Sequence, residues 1–282
     1  MDYEKVNEKI IWTREGRGNS TAVNLGNKVV VVDAMIGPNP AQEWRKIVEK
    51  EFSKKVTFLV LTHYHFDHVG GTQVFNDTSI ISSADSIKLI RDSYETNWNA
   101  EAIEEKMKER QDLISYGLDK FKPTYPTISF EKEITIYGDE EIKIVRTDGH
   151  AKGSAYLWLP ESKILITGDL FFHKMYPYAA DPSVDPIAWQ SAIKEMIALK
   201  PEKIIPGHGK LAVVEDLKEK GRFIDDMINT VKEKLEEGIK PEKMIEEVMP
   251  DYYSEERGEW RKQTILSWVT FFNKKFPFKN NI

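Results

Sequence analysis

Thr62-His63-Tyr64-His65-Phe66-Asp67-His68-Val69-Gly70-Gly71 places three imidazoles and a carboxylate within six residues, directly after the apolar run Lys55–Leu61. The run reads as a buried strand, so the polar string begins where a strand ends. In extended backbone, residues two apart point to the same side, so His63 and His65 can converge on one ion. Asp67 and His68, with the chain turning into Gly70-Gly71, can face a second ion nearby. The chain has no cysteine. Thiolate sites, disulfides and cysteine nucleophiles are therefore excluded. Imidazole with carboxylate suits zinc, and also manganese or iron.

Working outward, the chain alternates strands with helices. Lys9–Arg14, Ser20–Leu25 and Lys28–Asp33 read as strands, the last two joined by Gly26-Asn27 as a two-residue hairpin. The unbroken Val29–Val32 predicts a strand covered on both faces. A helix is expected from Pro40 to about Phe52, a strand over Ser79–Ser82, and a polar helical segment over about 84–118 with Ile103, Met107 and Ile114 on its apolar face. That segment reads as a covering lid or spacer. Further strands follow at Thr127–Phe130, Glu133–Tyr137, Glu141–Arg146, Ala155–Leu159, Lys163–Thr167 and Lys203–Ile205. Asp185-Pro186 opens a helix that stops before Pro201. Helices are then expected over Val213–Glu237, Pro241–Val248 and Glu255–Lys274. This is a layered α/β body with a helical C-terminal tail. His150, Asp169 and His208, like His63, each fall just beyond a predicted strand, so four loops can gather five of the six histidines in one cleft. Isolated structural histidines would not cluster this way, and a two-metal site is expected.

Composition narrows the partners. Against 46 acidic residues stand 40 Lys and Arg in 282 residues, a net charge of −6. Nucleic-acid binders carry a basic excess, so no nucleic-acid partner is expected. No run approaches the roughly 18 apolar residues of a membrane span. Met1–Lys5 shows neither a basic nor an apolar leader region, so a cytoplasmic location is the expectation.

Thr62–Gly71, then Gly149-His150, Thr167-Gly168-Asp169 and Pro206-Gly207-His208-Gly209, resemble the metallo-β-lactamase superfamily in order and approximate spacing, over about 9–210. The resemblance implies a four-layer αββα sandwich with metals at one edge between two sheets. It implies that His63, His65 and His150 hold one metal, that Asp67, His68 and His208 hold another, and that Asp169 bridges them. Two zinc ions are implied, with manganese or iron as alternatives. The activity implied is that of a hydrolase whose zinc-bridging hydroxide attacks the carbonyl of a small ester, thioester or lactone, with Asp67 passing a proton to the leaving group. A phosphodiesterase or RNase-like member, or an iron-dependent redox member, are the alternatives. Flavodiiron-type relatives usually carry Glu where this chain has His65, and acyl-homoserine lactonases usually carry Tyr where it has Phe172.

The segment Leu170–Tyr178 follows the bridge and is expected on the substrate side, through Phe172, His173, Tyr176 and Tyr178; packing in the core is the competing role. Asp33 is expected to orient a ligand histidine, with Asp148 as a second candidate. Residues 1–210 are expected to form the catalytic domain, with 211–282 a helical extension packed on it. Trp260, Trp268, Phe271 and Phe272 would pack there, line the pocket or form a homodimer surface. The expected partner is a small, acyl-bearing substrate, with no membrane association.

Overall fold

The structure is a computed structural model that describes residues 1–240, 243–244 and 258–275. Two sheets pack face to face with helices on both outer surfaces. The first sheet runs in order from β1 (Glu4–Asn7) through β2 (Ile10–Gly16), β3 (Gly18–Asn24), β4 (Val29–Val32), β5 (Phe58–Val60) and β6 (Ser79–Ser83) to β7 (Ile128–Phe130). Its first four strands pair antiparallel and the rest parallel. The second sheet has the order β12 (Lys203–Ile205), β11 (Ile164–Ile166), β10 (Ala155–Leu159), β9 (Glu141–Arg146), β8 (Glu133–Tyr137).

Strand alternation sends successive valines of β4 to opposite sides. Val30 and Val32 join Trp12 and Val23 against Ile142, Ile144, Leu157 and Ile166 of the second sheet, forming the central core. Val29 and Val31 face outward, where helix α1 (Pro38–Phe52) covers them with Trp44, Val48 and Phe52. On the far side, α6 (Pro186–Ala198), α7 (Val214–Glu236) and α8 (Gly258–Lys275) bury Trp189, Met196, Phe223, Met227, Trp268 and Phe272 against Tyr156, Leu165 and Ile204. Three cores between four layers give the expected αββα sandwich with C-terminal helices.

Several local expectations change. β1 has no counterpart among the predicted strands because it is an edge strand with only Val6 buried, and so lacks an alternating apolar signal. The helical segment at 84–118 is broken into α3 (Ala84–Thr96), α4 (Ala100–Glu109) and α5 (Asp112–Ser115). Asn99 ends the first break by accepting a hydrogen bond from the Ala102 amide, a side-chain cap that starts a new helix. Ile103 is buried and Met107 half-buried, but Ile114 is 50% exposed, off the apolar face assigned to it. The helix expected at Pro241–Val248 lies largely outside the described residues, as do residues 255–257 of the last one.

Candidate metal centre

Every metal-binding candidate sits beyond the end of a strand, on one rim of the sandwich. From the first sheet come Asp33 after β4 and the His63–His68 loop after β5, which leads into the single-turn helix α2 (Phe66–Val69). From the second come His150, Asp169 after β11 and His208 after β12. Two glycines keep the rim narrow. A Cβ on Gly207 would lie 2.0 Å from Asp169 Oδ1, and one on Gly18 would lie 2.8 Å from the His68 ring. Only glycine lets these backbones pass so close.

The donor atoms form two sets, His63, His65, His150 and Asp169, and Asp67, His68 and His208. Asp169 joins them. Its Oδ2 is 3.4 Å from His150 Nε2, 3.3 Å from His208 Nε2 and 3.7 Å from His63 Nε2, while its Oδ1 is 3.1 Å from His68 Nε2. His65 Nδ1 and His150 Nε2 are 2.9 Å apart, and His68 Nε2 and His208 Nε2 3.4 Å apart. Asp67 Oδ2 lies 3.4 Å from His208 Nε2. Ligands at 2.0–2.1 Å around a tetrahedral zinc stand roughly 3.3 Å from one another, close to this spacing.

Outer partners fix which ring nitrogen faces inward. His68 Nδ1 donates to Asp33 Oδ2 at 2.8 Å, leaving the Nε2 lone pair for the centre. Asp33 also accepts from the Thr62 amide and hydroxyl, both at 2.8 Å. That hydroxyl in turn faces His63 Nδ1 at 3.1 Å. His65 Nε2 donates to Asp181 Oδ2 at 2.7 Å, so its Nδ1 turns inward. Yet His63 Nε2 and Asp169 Oδ1 are buried without a hydrogen-bond partner. Buried polar atoms are ordinarily satisfied. Inward lone pairs and orphaned acceptors at ligand spacing fit divalent cations, and the residues are positioned for metal binding.

The electrostatics of the metal-free centre divide: burial keeps His150 neutral, whereas the neighbouring carboxylates favour a proton on His208 that a bound cation would displace. Burial drives the His150 imidazole down to about 4, against the pull of Asp169, so it is neutral at pH 7 as a ligand must be. Burial also works against a charged His208, but Asp169 and Asp67 lift it to about 9. Burial alone would raise Asp67, but the His68 and His208 imidazoles hold it well below the usual carboxylate range.

A cavity of about 490 Å³ opens on this centre. Its lining includes Asp67, Asp169 and His208, with Tyr64, Phe66, Trp98, Phe172, Tyr178 and Trp260 as an aromatic wall. Phe172 stacks on the His208 ring, 5.1 Å between centroids and 4° from parallel. Of the four residues expected on the substrate side, Phe172 and Tyr178 line the cavity. His173 instead lies 3.5 Å from Asp216, and Tyr176 packs edge-on against Phe223 in the outer core. The chain turns at 173–175, so the stretch both lines the pocket and fills core. Asp33 sits where expected. Asp148 does not touch a ligand histidine; it pairs with Arg146 and accepts from the Gly153 amide.

Asp181 is a residue of the centre that sequence reasoning missed. It is 2% exposed, holds His65, and accepts hydrogen bonds from the Tyr64 hydroxyl and the Ser183 amide. It lies in irregular chain with no periodic pattern. A carboxylate followed closely by Pro182 and Ser183, the makings of a self-bonding turn, was the one available signal.

A family model described as the metallo-beta-lactamase superfamily matches residues 13–208. The metallo-beta-lactamase type 2 of Bacillus sp. (strain 170) is 26% identical over 202 residues, 68% of this chain and 67% of that protein. The acyl-coenzyme A thioesterase MBLAC2 of Gallus gallus is 24% identical over 234 residues, 76% of this chain and 83% of that protein. Among solved structures, a sec-alkylsulfatase from Pseudomonas sp. is similar with a TM-score of 0.73 at 16% identity, over 99% of this chain and 51% of its own. A metallo-beta-lactamase from Pontibacter korlensis gives 0.61 at 18% identity, over 79% and 98%. Among the described residues no helix is long and apolar enough to cross a membrane. Matched over most of its length and built on the same sandwich, the chain belongs to the metallo-beta-lactamase superfamily.

Proposed function

We propose that this protein is a binuclear metal-dependent hydrolase of small acyl esters or thioesters. One observation carries the proposal: seven donors in two sets, joined through the two oxygens of Asp169, open onto an aromatic-walled cavity. His63, His65 and His150 would hold one cation, Asp67, His68 and His208 the other, with Asp169 shared. Zinc is the metal the thiolate-free imidazole and carboxylate set favours. Two such cations, when bound, supply hydroxide at neutral pH and polarise a carbonyl oxygen. The chain's own residues do the rest. Asp181 and Asp33 hold the imidazoles of His65 and His68 in their inward tautomers. Asp67, 29% exposed at its side chain, is the most open of the donors that line the cavity and would relay the proton of the attacking water to the leaving group. Phe66, Trp98, Phe172 and Tyr178 exclude water from an apolar acyl group.

The likeness to a protein named as an acyl-coenzyme A thioesterase supports a thioester, and the likeness to a metallo-beta-lactamase supports attack on an acyl carbon. The test is a panel of esters, thioesters, lactones, β-lactams and bis-p-nitrophenyl phosphate, run with and without chelator on protein of measured metal content. Chelator-sensitive turnover led by thioesters or esters, on colourless protein with two zinc ions per chain, is expected. Faster turnover of the phosphodiester, or an iron chromophore, would replace this assignment with a nuclease-like or redox one.

A further inference from the structure

The cavity mouth carries a feature that ester hydrolysis alone does not require. Arg17, Lys106 and Arg110 all line it. Arg17 comes from the tight turn between β2 and β3, while Lys106 lies in the last turn of α4 and Arg110 is the residue that ends that helix, its amide bonded to the Lys106 carbonyl. Both guanidiniums share one carboxylate: Asp112 Oδ2 lies 2.7 Å from Arg17 Nη2 and 2.6 Å from Arg110 Nη2. Asp112 does not itself line the cavity. Lys106 has its ammonium 5.1 Å from the centre of the Trp98 ring and makes no ion pair among the described residues. Trp98 stacks on Phe66 at 3.5 Å and 12°, and Phe66 adjoins Asp67. One aromatic wall therefore runs from the metal-binding loop to the cations.

Charge along the cavity is segregated. Among the described residues, the acids that line it are Asp67, Asp169 and Asp181, all in or beside the metal cluster. The mouth holds three cations against one shared carboxylate, in a protein whose net charge is −6. A guanidinium has five N–H donors, so sharing Asp112 leaves most of them for a ligand. Solvent-exposed pairs would gain little from such an arrangement. A ligand that inserts between these groups and the aromatic wall displaces water and gains more.

We propose that Arg17, Lys106 and Arg110 anchor an anionic group, carboxylate or phosphate, borne by the substrate away from its scissile bond. The substrate would then be an anionic acyl ester or thioester, the acyl carbon at the metal centre and the charge at the mouth. This rests on the hydrolase assignment above and adds the substrate's charge to it.

Three thioesters separate the possibilities on the metal-loaded protein: neutral S-butyryl-N-acetylcysteamine, S-succinyl-N-acetylcysteamine with a carboxylate on the acyl side, and butyryl-coenzyme A with phosphates on the thiol side. At low salt, kcat/KM for one charged thioester should exceed that of the neutral one, and the favoured thioester says which side bears the charge. The charged-to-neutral ratio should fall about fivefold with Lys106→Ala, and again with Arg110→Ala, chiefly through KM. Raising salt should shrink the ratio in the same way. Equal rates for all three thioesters, or a ratio untouched by the double variant and by salt, would overturn the anchor. If no thioester turns over, the hydrolase assignment fails first. The anchor is then judged by quenching of tryptophan emission with free coenzyme A and with S-succinyl-N-acetylcysteamine, assigned to Trp98 by Trp98→Phe. Quenching that weakens in the double variant upholds the anchor, and no quenching, or quenching the variant leaves unchanged, overturns it.

Discussion

Removing the Asp181 carboxylate should strip one metal position and spare the other. Asp181 touches only the first donor set, through His65 Nε2 at 2.7 Å, and is itself 2% exposed. A hydrogen bond to a charged group contributes about 1.5–3 kcal/mol, equivalent to roughly ten- to hundredfold in an equilibrium constant. Outer partners of metal ligands typically change affinity by a similar factor. In Asp181→Ala the His65 ring loses its outer acceptor and is free to rotate or to present the wrong tautomer. Affinity at that position should fall about a hundredfold. In Asp181→Asn the amide oxygen still accepts, without the charge, and the loss should be nearer tenfold. Competition of stepwise zinc uptake against a chromophoric chelator at pH 7.5 resolves the two positions. The position assigned to Asp67, His68 and His208 in the proposal above should keep its wild-type affinity. Because Asp181 also accepts from Ser183 and Tyr64, a thermal melt of metal-free protein is needed to separate loop disorder from the local effect. Wild-type affinity at both positions in Asp181→Ala would refute the role given to this carboxylate; equal weakening at both would show that the loop, not the His65 contact, matters.

Gly207→Ala should abolish metal binding while leaving the protein folded, since its Cβ would fall 2.0 Å from Asp169 Oδ1; metal content and circular dichroism together check this. Trp268→Ala, at a fully buried position facing Trp189, should cost about 3–5 kcal/mol. If residues 211–282 pack as an extension on one cooperative unit, urea denaturation should show a single transition moved to lower urea; two transitions would mean that the helices fold apart. Arg45 pairs with Asp77 and Glu49. It holds Asp77 below its ordinary value, while burial would raise Glu49 and is outweighed by Lys55 and Arg45. Carboxyls lowered in the fold add stability above about pH 4.5 and lose it as pH falls further. The gap in urea midpoint between wild type and Arg45→Met should therefore be open at pH 6 and close towards pH 3.

The clustering of residues positioned for metal binding was legible because strand ends impose simple geometry. His63 and His65 alternate to one side, and a buried strand such as Val29–Val32 announces itself by composition. Asp33 could be placed for the same reason, as the residue after that strand. Irregular chain gave less. Between Asp169 and α6 no period links residue number to direction, so Tyr176 could not be told from Tyr178, nor Asp181 noticed. The helical insertion was visible as helix, but its two breaks depend on local caps such as Asn99, and with them the exposure of Ile114. The cationic mouth was least legible, since Arg17 and Arg110 meet only through Asp112 after the sandwich has formed.

The donors come from both halves of the sandwich: the His63–His68 loop hangs from one sheet, and His150, Asp169 and His208 from the other. Cations seated among them would act as rivets across the seam, and part of their binding energy would resist the two halves sliding or peeling apart. Loss of metal would then show not only as lost turnover but as earlier fraying along that edge, where amide hydrogens of both loops should exchange together.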